Sequence, residues 1–176
     1  MSASDPVILI HGAWQGSWSW DHLVPLLNAQ GLTAIAVDLP GNGVDGSDPA
    51  DVTLDACLDY LDGIIAGFDR VSMIGHSGGG VIASAMAERS EKVARLAYVA
   101  GMMLPAGRGF GEVRAEARAG SDEMPGVAPD LEWSADGRVS TVPRHAGEAI
   151  FLSDCSAEVA HAASAKLTPQ GEGART

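Results

Sequence analysis

Gly75-His76-Ser77-Gly78-Gly79 closes the apolar run Val71-Ser72-Met73-Ile74 and fits the pattern G-x-S-x-G. A serine in this pattern sits on a sharp turn between a strand and a helix, and the flanking glycines allow the tight backbone. The turn lifts the serine oxygen toward the N-terminus of the following helix. Backbone N–H groups and the helix dipole favour developing negative charge there. Ser77 is therefore the candidate nucleophile for attack on a carbonyl carbon. The competing reading is an inert serine in a Gly/Ser-rich turn. A phosphate-binding loop is disfavoured, because no lysine follows the glycines.

A serine nucleophile needs a histidine base and usually a carboxylate to orient it. The chain has five histidines. His11 and His76 are read as structural, and His22 as a solvated residue of the first helix. His145 and His161 lie in a later region, where either would border a pocket. A base must stand within hydrogen-bond reach in one geometry, so neither is assigned. Asp38, at a strand end, is read as a structural carboxylate. Trp14, Trp18, Trp20 and Met103 are expected in a core or pocket wall.

Positioning Ser77 requires a strand before it and a helix after it. Val7-Ile8-Leu9-Ile10 is a continuous apolar run ended by His11-Gly12, which predicts a buried parallel strand. Residues 18–30 predict a helix stopped by Gly31, with a kink at Pro25. Residues 33–38 predict a second strand. Thr53 is a helix N-cap. After it, Leu54, Cys57, Leu58, Leu61, Ile64, Ile65 and Phe68 recur at three- and four-residue steps, the mark of an amphipathic helix. Residues 71–75 and 94–100 predict two more strands, with a helix at 78–89 between them. Alternating strands and helices imply a parallel α/β sheet.

After Gly101 the rhythm breaks. A hairpin turning at Asp136-Gly137 is expected within 134–142. Helices are expected at 146–152 and 157–167, the second capped by Ser156. The chain is therefore divided into a core at 1–101, a cap over the sheet's C-terminal edge at 102–167, and a disordered polar tail at 168–176.

The 176 residues are 46% hydrophobic and 19% charged, the composition of one globular domain. The formal net charge of −12 excludes a nucleic-acid or anionic-membrane surface. The N-terminus lacks the basic stretch of a secretory signal, and no apolar run reaches a membrane span of about 18 residues. Cys57 and Cys155 have no metal-ligand spacing and read as reduced, buried thiols of a cytoplasmic protein. No metal or organic cofactor is implied.

The chain resembles the hydroxynitrile lyase and methylesterase group of the α/β-hydrolase superfamily. The resemblance rests on His11-Gly-Ala-Trp14, Trp20, Leu23-Val-Pro-Leu-Leu27, Asp38-Leu-Pro-Gly41, Gly75-His-Ser-Gly-Gly79, Tyr98-Val-Ala100, Leu104-Pro105, Asp154-Cys155 and Leu167-Thr-Pro-Gln170. It implies a three-layer α/β-hydrolase fold with a parallel sheet and a helical cap. It also implies ester hydrolysis through an acyl-enzyme on Ser77, with backbone donors from Ala13 and Gly78 forming an oxyanion hole. Gly12, Trp14, His76 and Met103 are placed around the substrate pocket, which suits a small apolar or aromatic ester. Gly12 matches the esterase form, since the plant lyases tend to carry threonine there.

Family chains continue past Thr-Pro-Gln into two further strands, whose loops supply the acid and the histidine. Nothing after Gln170 matches them, so this form is expected to be shortened, impaired in activity and exposed along the last sheet strand. Poor solubility or homodimerisation through that edge is predicted. The alternatives are a non-catalytic small-molecule binder and an inactive truncated homologue.

Overall fold

The computed structural model describes residues 5–42, 44–117 and 126–175. In chain order, the core carries β1 (Val7–Ile10), α1 (Leu23–Ala29), β2 (Ala34–Val37), α2 (Leu54–Ile65), β3 (Val71–His76), α3 (Gly79–Arg89) and β4 (Val93–Val99). The later region carries α4 (Phe110–Ala117), β5 (Glu132–Trp133), β6 (Val139–Thr141), α5 (Arg144–Ala146), α6 (Ala157–Ser164) and β7 (Gln170–Gly171).

The main sheet is parallel, in the order β2-β1-β3-β4. All four residues of β1 are buried, because both faces of this central strand are covered. Ile8 and Ile10 pack with α2 and α3 through Leu61, Ile65, Ile82 and Met86. Val7 and Leu9 face the other way, against Trp20 and Leu23, Val24 and Leu27 of α1. Helix, sheet and helix thus form three layers around one strand. The apolar stripe of α2 buries Cys57, Leu58, Leu61 and Ile65, and the Thr53 hydroxyl caps the helix by accepting from the Ala56 N–H at 3.1 Å.

The expected helix at 18–30 is divided. Ser17–Trp20 is a single 3₁₀ turn, and α1 begins at Leu23. Pro25 is therefore the third residue of α1. Its missing N–H falls among those a helix start leaves unbonded, so no kink is needed. Gly31 at φ 80 ends the helix, with the Leu32 N–H returning to Leu27 O at 3.2 Å. β4 runs one residue earlier than expected, because Ala100 turns away at φ 45. It is an edge of the described sheet, and from Ala94 onward its residues alternate between half-buried and exposed.

In the later region, β5 and β6 form the expected hairpin, with Gly137 at φ 70 in its turn. Residues 144–151 are a helical turn followed by a π-helix, Gly147–Phe151. Val127, Val142 and Ala146 cluster with Trp14, Phe151 and Leu167, which brings this region against the loop leaving β1. The stretch at 118–125 lies outside the described residues.

Two expectations are corrected. The segment 170–175 is not a disordered tail: β7 pairs antiparallel with β6, and Ala174 is buried in the main core. Its polar composition misled because the Gln170 side chain is hydrogen-bonded through both its oxygen and its nitrogen inside the fold, as described below. Cys155 is exposed, whereas Cys57 is buried; both are free thiols. Burial pushes the Cys57 thiol up to about 11. Among the described residues no helix is long and apolar enough to cross a membrane.

Candidate active site

β3 ends at His76 and α3 begins at Gly79, so the turn is made by Ser77 and Gly78. Ser77 stands at φ 49, a left-handed conformation that costs a non-glycine residue about 1–3 kcal/mol. Its backbone is held from both sides. The Ser77 N–H donates to Val99 O at 3.3 Å, and Ser77 O accepts from the N–H groups of Met102 at 2.9 Å and Gly80 at 3.0 Å. The end of β4 and the start of α3 together keep the strained residue in place. Gly79 lets α3 approach the sheet: a Cβ there would lie 2.5 Å from His11 O and 2.6 Å from Ile10 O.

The loop leaving β1 runs beside this turn. A Cβ on Gly12 would lie 2.9 Å from Ser77 Cβ and 2.8 Å from His76 Nδ1. Gly12 and Ser77 thus stand side by side. Ala13 and Gly78 border one cavity of about 20 Å³, together with His11, Gly12, Asn42 and Gln170. That volume holds about one water molecule.

His11 is buried and serves the loop. Its Nε2 accepts from the Leu39 N–H at 3.1 Å, which leaves Nδ1 as the protonated nitrogen, donating to Gly12 O at 2.8 Å. Both bonds need the neutral ring, and burial lowers its pKa. His76 is half-buried; its Nδ1 lies 2.9 Å from Gln15 Oε1 and its ring meets Trp20 edge to face. Burial also lowers its pKa. Asp38 accepts from the Ser17 N–H at 2.7 Å and the Ser17 hydroxyl at 2.8 Å, the structural role expected for it.

The two later histidines are placed elsewhere. His161 Nδ1 lies 3.0 Å from Glu148 Oε1, and Arg144 Nη2 donates to His161 Nε2 at 2.8 Å. His145 is exposed. Among the described residues, no histidine hydrogen-bonds the Ser77 hydroxyl. Trp14, at φ 61, packs edge to face on Phe151. Its indole N–H donates to the Ser140 hydroxyl at 3.1 Å. Met103 is 70% exposed and borders none of the described cavities.

Two amides matter here that residue type and spacing did not single out. Gln15 is buried, and its Oε1 accepts from the Gly12 N–H at 3.2 Å as well as meeting His76. Gln170 Oε1 accepts from the Trp14 N–H at 3.3 Å and from Asn42 Nδ2 at 3.2 Å, while its Nε2 donates to Gly171 O at 2.9 Å. A larger cavity, about 340 Å³, opens at Gln15 between Trp18 and α6, with Leu152, Val159 and Ala163 on its walls and Lys166 at 5.5 Å from the Trp18 ring. Its size falls in the range of small-molecule sites. No cluster of three or more metal-ligating side chains occurs among the described residues.

A profile described as the Alpha/beta hydrolase family matches residues 7–172. Norfluorocurarine synthase 1 of Strychnos nux-vomica is 35% identical over 101 residues, covering 54% of this chain and 38% of that protein. Methylesterase 7 of Arabidopsis thaliana is 34% identical over 102 residues, covering 54% of this chain and 39% of that protein. This chain therefore matches well under half the length of either. Among solved structures, polyneuridine aldehyde esterase superposes with a TM-score of 0.80 over 95% of this chain and 69% of that one. Their 22% identity makes this a likeness of fold.

Proposed function

This chain belongs to the alpha/beta hydrolase family, and from that premise we propose that it is an esterase-type hydrolase whose nucleophile is Ser77. The observation that carries the reading is the strained Ser77 backbone, at φ 49 on the turn between β3 and α3, with the Gly12–Ala13 loop packed beside it. A non-glycine residue in that conformation costs stability, and such residues collect at working sites.

In the proposed reaction, Ser77 Oγ forms a bond to the ester carbonyl carbon as its proton passes to a water molecule. The carbonyl π pair moves onto oxygen, where the N–H groups of Ala13 and Gly78 stabilise it. The intermediate collapses, the C–O bond to the alcohol breaks, and the alcohol leaves with a proton. Water then attacks the acyl-enzyme by the same route and releases the acid. Ser77 is the proposed nucleophile and Ala13 and Gly78 the proposed donors, while among the described residues no histidine hydrogen-bonds the Ser77 hydroxyl. A serine site working through its oxyanion hole and binding alone retains about 10³–10⁴ over water. Weak turnover is the expectation for this chain.

The substrate class proposed is a small apolar or aromatic ester. The 340 Å³ cavity beside Gln15, walled by Trp18, Leu152 and Val159, has the size and apolar walls for such a group, though Ser77, Ala13 and Gly78 are not among its walls. Pairing of two copies along β4 is proposed from its position at the edge of the described sheet. The free Cys57 and Cys155 support a cytoplasmic location. A second reading, small-molecule binding without turnover, is favoured by the absence of a histidine on Ser77 among the described residues.

Intact-protein mass spectrometry after exposure to a fluorophosphonate tests the reading. A single adduct on the chain, absent from Ser77→Ala, is the expected result. No adduct on folded protein refutes the nucleophile and leaves the binding reading.

A further inference from the structure

We infer that Gln15 is the positioning residue of this site, setting both the Ala13 N–H and the His76 ring; the inference rests on the reading of Ser77 as nucleophile. Gln15 holds the Gly12 residue at both of its polar groups. The Gln15 backbone N–H donates to Gly12 O at 3.3 Å, and its side-chain Oε1 accepts from the Gly12 N–H at 3.2 Å. Gly12 O also accepts from His11 Nδ1 at 2.8 Å. In a trans peptide the C=O and N–H point in opposite directions. Two donors on Gly12 O therefore aim the Ala13 N–H away from the His11 ring and the Gln15 N–H.

The same Oε1 reaches across to the strand that carries the nucleophile. His76 Nδ1 lies 2.9 Å from it, in a residue 61 positions away in sequence. The two contacts are chemically consistent only when the side-chain oxygen accepts from both N–H groups, so His76 carries its proton on Nδ1. One buried oxygen thereby ties the loop after β1 to the residue preceding Ser77. Gly12, between them, leaves little slack: its missing Cβ would sit within 3.1 Å of Gln15 Oε1, His76 Nδ1 and Ser77 Cβ alike. Removing the oxygen leaves the buried Gly12 N–H and the half-buried His76 Nδ1–H without this partner, and both loops shift to find one. A misplacement of about 1 Å at a reacting centre costs on the order of 10²-fold in rate.

The test compares the full chain with Gln15→Leu and Gln15→Glu. The probe is the fluorophosphonate, with its saturable binding and its labelling step measured separately by mass spectrometry. The proton position on the His76 ring is read by ¹⁵N NMR. Gln15→Leu is expected to lower the labelling rate on the order of 10²-fold with little change in probe affinity, and to release His76 from the single Nδ1–H form. Gln15→Glu keeps the accepting oxygen, so labelling stays within about tenfold and the added carboxylate raises the His76 titration. Labelling of Gln15→Leu at the wild-type rate overturns the inference while leaving Ser77 as nucleophile. When Gln15→Leu does not fold, Gln15→Glu decides: a loss beyond tenfold overturns the positioning role. When the folded wild-type chain is itself unlabelled, the Ser77 reading fails and this one falls with it.

Discussion

The same change, glycine to alanine, is expected to move stability in opposite directions at two helical positions of this fold. At Gly79, the first residue of α3, a Cβ would lie 2.5 Å from His11 O and 2.6 Å from Ile10 O. Ordinary carbon–oxygen contacts begin near about 3.3 Å, so the helix and β1 must separate by roughly 0.8 Å. Neither side can yield easily. Both neighbours are backbone, Ile10 and His11 are buried, and packed interiors have little free volume. Such overpacking costs about 1–3 kcal/mol.

At Gly63, in α2, a Cβ meets nothing within 4 Å. There alanine gains helix propensity alone, up to about 1 kcal/mol. In a chain of this size, 1 kcal/mol moves the melting temperature by about 2–4 °C. Gly79→Ala is therefore expected to melt about 2–12 °C lower than wild type, and Gly63→Ala up to about 4 °C higher. Urea titrations with a shared slope convert both into free energies. Gly79→Ala as stable as wild type refutes the close approach of α3 to β1, and with it the rigid backbone support described for Ser77.

Ser77→Gly is expected to stabilise the fold by about 0.5–1 kcal/mol, because relief of the φ 49 strain exceeds the added flexibility of the unfolded chain, and to abolish labelling. Thermal melting beside mass spectrometry reads both, and a lower melting temperature refutes the strain. Stability should also fall as pH drops from about 7 to 5. Burial lowers the pKa of His11 and of His76, so the unfolded chain binds more protons in this window. The contribution is present above the unfolded value of 6.5 and is lost as pH falls through the folded values. Urea midpoints across the window measure it, and a midpoint that rises toward pH 5 contradicts the neutral His11 assigned here.

The sequence by itself determined the elements whose cause is local. The run Val7-Ile8-Leu9-Ile10 has one stable fate, a strand covered on both faces, and it is buried throughout. The stripe from Leu54 to Ile65 and the cap at Thr53 specify α2 from within one segment. The turn at Ser77 is legible in part because Gly75 is required by contacts only a few residues away, against Gly79 and Gly80.

Only the tertiary structure decided the polar interior. Gln15 and Gln170 look like loop residues in the sequence, since a polar amide is normally left in water. Their partners lie far along the chain: His76 for one, Trp14 and Asn42 for the other, 156 and 128 positions away in the latter case. Those bonds offset the cost of removing an amide from water, which is why both are buried and why 170–175 is packed. The positions of His145 and His161 were undecidable for the same reason. Hydrogen-bond reach is a property of three-dimensional distance, and the fold places His161 on Glu148 and Arg144.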